Sequence, residues 1–342
     1  MVRQGKSVKL ADIAEKLNVS VVTVSKALSG QKGVSDEMRK KISDLAYEMG
    51  YVSLTERRLQ EENKSFNIGV IISGRYCDQF ESFYWRMYQE VAKEAVACNS
   101  FTLLEIINIE DEINAVTPKL VKDGKIDGLI IVGRMKDKYL DMIDSTVTLP
   151  MIYLDFYCKN IERDSVITDN FHGMYRLVNY LISMGHKKIA YVGSLLYSSS
   201  ITDRYFGYCK AMFENGLEIN KDWVMDDRNM ETGSMDDFQF IFPKEMPTAF
   251  ACNSDLTADV LIQELEKKGL KVPDDISIVG FDNYVFNQVS QVGITTSAVD
   301  INSMANEAVK ILIKKMKGLK YREGMSLITS KMVIKDSVKK ID

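Results

Sequence analysis

Apolar positions recur at helical spacing through the first fifty residues. The first apolar face ends at Asn18, which tolerates the left-handed backbone of a tight turn, and Ser20 is a good N-cap for the helix that follows. A third helix is predicted to begin after Ser35 and to end at Gly50, a residue type suited to a helix C-terminus. The apolar positions of the first two helices are Leu10, Ile13, Ala14, Leu17, Val24, Ala27 and Leu28. The pattern predicts a helix-turn-helix, with an ordinary pair of packed helices as the alternative.

From Phe66 onwards the pattern changes to short apolar runs that alternate with amphipathic helices. The runs predict buried strands at 68–72, 101–107, 128–132, 151–154, 165–168, 188–192, 248–252 and 277–281. Long helices are predicted at 83–98, 171–184, 204–215 and 256–268. Such alternation is typical of parallel sheets covered on both faces. Because the first four strands and the last four form similar series, we expect a small all-α headpiece followed by a two-lobed α/β body with two doubly wound parallel sheets.

Length and charge fit this division. The 342 residues are too many for one core, and 46% hydrophobic and 27% charged residues are ordinary for a globular protein. Residues 1–60 hold 11 Lys/Arg against 7 Asp/Glu, whereas the remainder holds 33 against 41. A basic head on an acidic body is typical of a polyanion-binding module joined to a part that does not bind polyanions. A basic, solvated helical face would explain the count almost as well.

Neither a membrane segment nor a metal site is indicated. No charge-poor apolar run is long enough to span a bilayer, and no signal-peptide core follows Met1, so we expect a cytoplasmic protein without membrane contact. The five cysteines form no CxxC pair and no cluster with histidine, which favours small buried thiols over a disulfide or a metal site.

Across residues 8–51 the chain resembles the DNA-binding head of the lactose/galactose repressor (LacI/GalR) family. The matching run is DIAEKLNVSVVTVSKALSG, followed by VS and then LAYEMGY. The resemblance continues through the body in the order IGVIIS, PMIYLD, VITDN, GHKKIAYVG, DRYFGY, CNSDLTA, ISIVGFD, TTSAVDINSMANEAV and VIKDS. It therefore covers nearly the whole chain.

The resemblance implies a division into three parts. A helix-turn-helix headpiece at 1–52 and a hinge or linker at 53–65 precede a periplasmic-binding-protein-like body at 66–342 that binds an effector and forms a dimer. The N-lobe of the body is expected at about 66–162 and 297–322, and the C-lobe at about 163–296 and 323–342. The chain would then cross between the lobes near 160–165, 293–299 and 322–330.

Roles for individual headpiece residues follow from the same resemblance. It assigns the reading of base edges to Val21, Val22 and Lys26. It assigns contacts with phosphates to Ser20, Thr23 and Ser25. Lysine can donate to guanine acceptors, whereas valine can only contact a thymine methyl or exclude a base. For the two valines, a plain core position is the alternative.

The hinge is expected to enter the minor groove with Leu59 as its wedge and Arg57 and Arg58 on phosphates. The segment departs from the family pattern, because Ser53-Leu54-Thr55 stands where Pro-Asn is expected and Glu56 falls near a small residue. A solvated charged linker that orders only on binding is the alternative.

Residues that follow the predicted strands are the candidates for a ligand site, since ligands of such folds bind beyond the carboxyl ends of the strands. They are Ser73, Arg75, Phe83, Tyr84, Arg134, Asp155, Arg204, Ser254 and Asp282. The resemblance favours Arg204, which we expect to open a helix, and Asp282, which we expect to end a strand. Arginine, aspartate and an aromatic face together can hold a polyhydroxylated ligand. For the aromatic residues, packing between the lobes is the alternative.

We therefore expect a sequence-specific DNA-binding transcriptional regulator, a repressor, controlled by a sugar or sugar derivative bound between the lobes. One short helix reads few base pairs, so a homodimer on double-stranded operator DNA is predicted. The alternatives are a solute-binding protein of the same two-lobed fold and an enzyme of the dinucleotide-binding type. No GxGxxG follows a predicted strand and no nucleophile–His–acid set is visible, so we expect neither enzymatic activity nor a cofactor.

Overall fold

The computed structural model describes residues 8–51, 64–77, 82–158, 163–230, 233–235, 238–285 and 288–342. The chain forms two compact units, Met1–Lys64 and Ser65–Asp342, which we call the head and the body. The hinge residues expected at the minor groove, Arg57, Arg58 and Leu59, lie outside the described residues.

In its described part the head consists of α1 (Leu10–Leu17), α2 (Val21–Leu28) and α3 (Asp36–Glu48). Asn18 ends α1 with a φ of 52°, the left-handed conformation expected at the turn. Ser20 caps α2 by accepting a hydrogen bond from the Thr23 amide at 3.0 Å. The buried side chains at the junction of the helices are Ile13, Ala14, Val24, Ala27, Ile42 and Ala46. The predicted helix-turn-helix is confirmed.

Arg39 of α3 joins the helices at the other end of α2. Its guanidinium donates to the carbonyl oxygens of Ala27 and Gln31, both at 2.7 Å. The last carbonyls of a helix have no partners within that helix, so a side chain from a neighbouring helix satisfies them. This contact fixes α2 against α3.

The body alternates strands with helices. Its strands are β1 (Asn67–Ser73), β2 (Phe101–Ile107), β3 (Gly128–Val132), β4 (Met151–Leu154), β5 (Ser165–Thr168), β6 (Ile189–Val192), β7 (Val224–Met225), β8 (Ala249–Cys252), β9 (Ser277–Val279), β10 (Thr296–Ala298), β11 (Met325–Ile328) and β12 (Lys331–Val333). Its helices are α4 (Phe83–Ala97), α5 (Ile109–Ile113), α6 (Lys119–Lys122), α7 (Asp137–Thr146), α8 (Asn170–Ser183), α9 (Ser199–Glu214), α10 (Asp255–Lys267) and α11 (Ile301–Met316). Within the described ranges, no helix has the length and hydropathy needed to cross a bilayer.

The N-lobe is built on a parallel sheet with the strand order β11-β5-β4-β3-β1-β2. Successive side chains of β1 point to opposite faces: Ile68, Val70 and Ile72 pack with α4 and α11, whereas Ile71 joins the cluster under α7. Both faces are therefore buried, which explains the continuous apolar run at 68–72.

The C-lobe is built on a second parallel sheet with the order β7-β6-β8-β9. Ala249 and Ala251 of β8 face α8 and α9, and Phe250 and Cys252 face α10. Isolated bridges continue this sheet towards β10, which pairs antiparallel with β12. The prediction of two doubly wound parallel sheets is confirmed.

The assignment of two segments to the C-lobe was wrong. β5 lies in the N-lobe sheet, where Ser165 pairs with Tyr153 of β4, and β11 pairs with β5 from Met325–Ser165 to Ile328–Thr168. The N-lobe therefore extends through Thr168 and Ile328, beyond the predicted limits of 162 and 322. An apolar pattern shows that a strand is buried, but it does not specify which sheet the strand joins.

The described chain passes between the lobes at 168–170, 298–301 and 328–331, as the last strands and first helices on either side show. The crossings are tied to one another by hydrogen bonds. The Thr168 hydroxyl donates to the Ile328 carbonyl at 3.3 Å, and Ser297 donates to the Ser330 hydroxyl at 2.7 Å. Arg176 of α8 donates to the Ser330 carbonyl at 2.8 Å. The first crossing thus falls later than the predicted 160–165.

The start of α9 also differs from the prediction that Arg204 opens a helix. The helix begins at Ser199, because Ser198 caps it by accepting a hydrogen bond from the Ile201 amide at 3.2 Å. Arg204 therefore lies in the second turn, where its side chain is buried.

Candidate functional site

The face of α2 predicted to read bases is exposed. Val21 is 45% exposed and Val22 is 61% exposed, so neither belongs to the core of the head and the alternative for them is wrong. Lys26 is exposed one turn further along the helix. Two exposed β-branched side chains beside a lysine offer apolar contacts for thymine methyls next to a donor for guanine.

The residues predicted to touch phosphates lie on or next to α2. The hydroxyl oxygens of Ser20 and Thr23 are 2.8 Å apart at the start of the helix, and Ser25 is exposed. Hydroxyls and free amides at a helix N-terminus suit phosphate oxygens. Ser20 combines this position with its role as the N-cap.

The C-lobe wall of the cleft, as we call it, consists of Arg204, Asp282 and Phe281. The Arg204 guanidinium lies 3.1 Å from the Asp282 carboxylate and 3.8 Å from the centre of the Phe281 ring. It also donates to the Asn170 side-chain oxygen at 2.8 Å and to the Asn253 carbonyl at 2.5 Å. These contacts fix the guanidinium plane, with one edge directed at Asp282.

The two carboxyl groups on this side of the cleft differ in exposure, since Asp255 is buried and Asp282 is partly exposed. Burial raises the pKa of Asp282, although the neighbouring Arg204 charge lowers it. Burial also raises the pKa of Asp255 well above its usual range, and the charge of Asp282 raises it further. Asp282 itself has a φ of 99°, a backbone conformation that costs energy for a residue with a Cβ and is concentrated at functional sites.

The N-lobe wall consists of Asp155 and Tyr84. Tyr84 donates its hydroxyl to the Asp155 carboxylate at 3.0 Å, and Asp155 has a left-handed φ of 70°. Burial raises the pKa of Asp155 to about 7. The charge of Arg204 lowers this pKa, and the charge of Asp282 raises it. Phe83, next to Tyr84, contacts Tyr284, two residues after Asp282, so the two walls lie next to a direct contact between the lobes.

Ser73 and Arg75 are brought together by a residue that the sequence did not single out. Glu112 accepts the Ser73 hydroxyl at 2.6 Å and the Lys136 amide at 2.6 Å, and it forms an ion pair with Arg75. Glu112 lies in α5 among other acidic residues, and only its burial distinguishes it from them. Arg75 also donates to the Tyr197 hydroxyl of the C-lobe at 3.4 Å.

The sequence left two interpretations for the aromatic residues at the start of α4: contact with a ligand, or packing between the lobes. Phe83 and Tyr84 differ in this respect. Phe83 packs edge-on against Tyr284 of the C-lobe with ring centres 5.9 Å apart, which is a contact between lobes. Tyr84 stacks near Tyr76 at 4.5 Å while its hydroxyl reaches Asp155. Only Tyr84 thus presents a polar group to the wall carboxylates.

Two predicted residues are engaged elsewhere. Arg134 pairs with Asp137 of α7 at 2.7 Å, and Ser254 caps α10 by accepting the Thr257 amide at 3.1 Å. The structure does not bring either side chain into the group formed by Arg204, Asp282 and Asp155.

A second, half-buried arginine lies behind the C-lobe wall. Arg228 binds Asp227 through two hydrogen bonds of 2.9 and 2.6 Å, and Asp227 accepts from the Asn253 amide at 2.7 Å. Burial alone would raise the pKa of Asp227, but the hydrogen bond and charge of Arg228 lower it well below its usual range. These residues escaped the sequence analysis because β7, which precedes them, spans only Val224–Met225 and shows no periodicity.

A direct hydrogen bond also joins the lobes at the rim of the cleft. Tyr157, which follows β4, donates to the Asp203 carboxylate of α9 at 2.9 Å. The hydrogen bond and burial raise the pKa of Tyr157 to about 12. In this structure the cleft is therefore bridged at Tyr157–Asp203, Arg75–Tyr197 and Phe83–Tyr284.

Both parts of the chain match known protein families. Residues 9–53 match bacterial regulatory proteins of the lacI family, and residues 178–338 match the periplasmic binding protein-like domain. The chain thus begins with a DNA-binding domain of the lacI type and continues into a periplasmic-binding-protein-like domain. Its helix-turn-helix lies in the first match, and its two-lobed body contains the second.

Relatives and solved structures match the chain over nearly its whole length. It is 28% identical to the transcriptional repressor CytR of Escherichia coli K12, with 98% of each chain covered, and 27% identical to the repressor PurR of Pasteurella multocida, with 96% of this chain and 98% of the relative covered. The lac repressor dimer bound to operator and the anti-inducer ONPF has a TM-score of 0.65 at 20% identity, covering 98% and 100% of the two chains. The regulator CelR in complex with cellobiose has a TM-score of 0.67 at 19% identity, covering 96% and 99%.

These relatives decide between the functional alternatives. A solute-binding protein would lack the head, whereas the relatives that share both parts are transcriptional repressors. The protein is a DNA-binding transcriptional regulator with a lacI-type head and an effector-binding type of body.

Proposed function

We propose that this regulator is a homodimeric repressor that binds a pseudopalindromic operator and is controlled by an uncharged, polyhydroxylated small molecule in the cleft. The observation that carries the proposal is the Arg204–Asp282 pair of the C-lobe together with the Tyr84–Asp155 hydrogen bond of the N-lobe, both beside the contact between the lobes at Phe83 and Tyr284. A ligand that contacts both walls binds one arrangement of the lobes better than another, and such differential binding is what couples a ligand to DNA affinity.

The chemistry of the walls supports a neutral polyol. Arg204, which is held over the buried Phe281 ring, can donate to a hydroxyl oxygen while Asp282 accepts from the adjacent hydroxyl, and Tyr84 supplies apolar ring surface. The charge of Arg204 is already paired with Asp282, so this pair offers no net positive charge to a phosphate group, which disfavours a phosphorylated ligand. A neutral sugar or a nucleoside, with vicinal ribose hydroxyls, fits this charge balance.

Operator reading is proposed for Val21, Val22 and Lys26 of α2. Their exposure supports this role, since the remaining face of the helix packs in the head through Val24 and Ala27. Ser20, Thr23 and Ser25 would position the helix on phosphates. Because one helix of eight residues reads few base pairs, specificity would require two heads.

The outer edge of the N-lobe sheet supports a homodimer. β2 is an edge strand, and the strand and its adjoining helices carry several exposed apolar residues: Val96, Phe101, Leu103, Ile106 and Ile109. Phe101 alone is 60% exposed. Exposed apolar side chains at an unpaired strand are typical of a protein–protein contact. Phe101→Asp should therefore shift the protein from dimer to monomer in sedimentation velocity, whereas a monomeric wild type would contradict the proposal.

A thermal-shift screen on the full chain tests the ligand. Neutral hexoses, disaccharides and nucleosides would be compared with sugar phosphates. A ligand at 100 times its Kd should raise Tm by about 5 °C, because binding to the folded state alone adds about 2.7 kcal/mol. Asp282→Asn should remove the shift, whereas Asp141→Asn, at an exposed site in α7, should retain it. A shift given only by sugar phosphates, or one retained in Asp282→Asn, would overturn the ligand assignment.

Selection from a random duplex library tests DNA reading. The enriched sites should contain two inverted half-sites, and Lys26→Ala should bind them about tenfold more weakly and tolerate more bases at one position of each half-site. Lys16→Ala, an exposed lysine of α1, is the matched control. Equal affinity and equal specificity in Lys26→Ala would remove its role as a base reader.

A further inference from the structure

The end of α11 is an unusually basic part of an acidic body. Residues 308–323 contain no acidic residue before Glu323, yet they hold Lys310, Lys314, Lys315, Lys317, Lys320 and Arg322. Residues 61–342 as a whole carry 33 basic against 41 acidic residues. Lysines in the last turn are favoured by the helix dipole, but Lys320 and Arg322 lie beyond Met316, the last residue of α11. The helix dipole therefore does not account for the whole cluster.

This basic segment lies at the amino edge of the N-lobe sheet. Lys315 donates to the Met151 carbonyl, at the start of β4, at 2.8 Å. The Met316 sulfur would lie 2.8 Å from a Cβ added at Gly128, the first residue of β3. Gly128 in turn pairs with Ile68 of β1. The end of α11 is thus located at the edge where the chain enters the body.

Several of these cations are not neutralised by the body. Lys315 is paired with the buried Asp164 at 2.6 Å and has a structural role. Within the described ranges, Lys314, Lys320 and Arg322 are exposed and form no ion pair. At the same edge, Lys122 and Lys125 alternate with Asp123 and Asp127, so their charges cancel. The excess of positive charge is therefore confined to the end of α11 and the segment after it.

The chain limits how far the DNA bound by the head can lie from this edge. Twelve residues lie between Tyr51 and Lys64, so a fully extended chain places these two at most about 45 Å apart. The first strand of the body, β1, begins at Asn67, so the chain from the head enters the body at the amino edge of the N-lobe sheet. Operator DNA is therefore the polyanion that the chain itself links to this edge.

We propose that Lys314, Lys320 and Arg322 contact phosphates of DNA that flanks the operator core. The inference rests on the proposed binding of an operator by the head. The contacts are electrostatic and independent of sequence, because flexible lysine side chains on phosphates carry no base information. They add affinity by releasing condensed counterions from the flanking duplex.

The test uses the full chain and the site enriched by the library selection, placed in two duplexes. One contains the core site alone, and the other adds ten base pairs of arbitrary sequence on each side. The variant is Lys314→Gln/Lys320→Gln/Arg322→Gln. The control, Lys187→Gln/Lys221→Gln/Lys340→Gln, removes three exposed cations of the C-lobe. Fluorescence anisotropy gives the affinity at several salt concentrations.

On the long duplex, the slope of log affinity against log salt should become less steep in the variant by about 2 to 3 for each bound subunit, or about 5 for a dimer, since each lost phosphate contact contributes about 0.9. On the core duplex the variant, the control and the wild type should agree. An unchanged slope in the variant on the long duplex, or an equal loss in the control, would overturn the inference. If the selection enriches no site, the proposed function itself fails, and the two failures are thereby distinguished.

Discussion

The two lobes each present an arginine–carboxylate pair at the carboxyl edge of a parallel sheet, but the two pairs differ in the hydrogen-bonding capacity that they leave unused. In the N-lobe, Glu112 accepts from Ser73, Arg75 and the Lys136 amide. In the C-lobe, the Asp282 carboxylate has Arg204 as its ion-pair partner in the described chain, and its side chain is partly exposed. The first pair is saturated and braces the fold, whereas the second can still accept from a ligand. Location at a strand end is thus insufficient to identify a ligand residue.

The largest expected effect on stability comes from removing the carboxylate of the saturated Glu112–Arg75 pair. Glu112→Ala removes a fully buried carboxylate and leaves Arg75 without its counter-charge, so the free energy of unfolding should fall by about 3 kcal/mol. Urea unfolding of the full chain measures this. Glu110→Ala, at an exposed position of the same helix, should change it by less than about 0.5 kcal/mol. A loss below about 1 kcal/mol in Glu112→Ala would show that the pair does not brace the N-lobe.

The second prediction concerns pH and the N-lobe wall. Burial raises the pKa of Asp155 to about 7 in the folded protein, from an ordinary value near 4 when unfolded. Between these values the unfolded state has lost the proton that the folded state retains. Stability should therefore fall with rising pH in this window, by up to about 1.4 kcal/mol per pH unit from this group. The difference between wild type and Asp155→Asn, followed by urea unfolding from pH 4 to 8, isolates that contribution; a difference independent of pH would contradict it. Asp141→Asn serves as the exposed control.

Tyr84→Phe should have a smaller effect. It removes one hydrogen bond to a buried carboxyl group, which is worth about 1 to 2 kcal/mol when that group is ionised at pH 8. Because the tyrosine hydroxyl lowers the pKa of Asp155, the variant should also move the pH dependence upwards. Tyr88→Phe on the same helix, whose hydroxyl makes only a 3.4 Å contact, is the matched control. A pH profile that does not move would show that the hydroxyl has no effect on Asp155.

The smallest predicted change in stability tests whether Ser254 caps a helix or binds the ligand. Ser254→Ala should lower the stability by about 1 kcal/mol through loss of the α10 N-cap, while leaving the affinity for the ligand found in the screen unchanged. Thermal denaturation with and without that ligand measures both. Ser254→Thr, which retains a capping hydroxyl, should restore most of the stability. A tenfold loss of ligand affinity in Ser254→Ala would instead place the hydroxyl in the site.

The head was predictable because its determinants are local. Asn18 in the turn, Ser20 at the N-cap and Gly50 after α3 each act within a few residues, and all three occupy the predicted conformations. The two sheets also followed from alternation alone. Alternation could not show to which sheet Ser165–Thr168 belongs, because strands distant in sequence determine the pairing.

The candidate site was predicted only in part, for the same reason. Arg204, Asp282 and Asp155 come together because each lies near the end of a strand or on a helix that covers it. Glu112 was missed because nothing in an acidic five-residue helix indicates which side chain turns inward. Charge type and periodicity identify candidate side chains, but burial decides how their hydrogen-bonding capacity is used.

The adjacent crossings between the lobes have a mechanical consequence. Since the chain changes lobe within two or three residues at each of the crossings at 168–170, 298–301 and 328–331, few backbone dihedrals separate two rigid sheets. Hydrogen bonds such as Ser297–Ser330 link these short segments, so they turn as one joint. Torsional compliance is concentrated there, and a rotation of one lobe leaves every strand of both sheets paired. Because each lobe then moves as a rigid body, a small displacement at the cleft also displaces the far edge of the N-lobe, where the chain continues into the head.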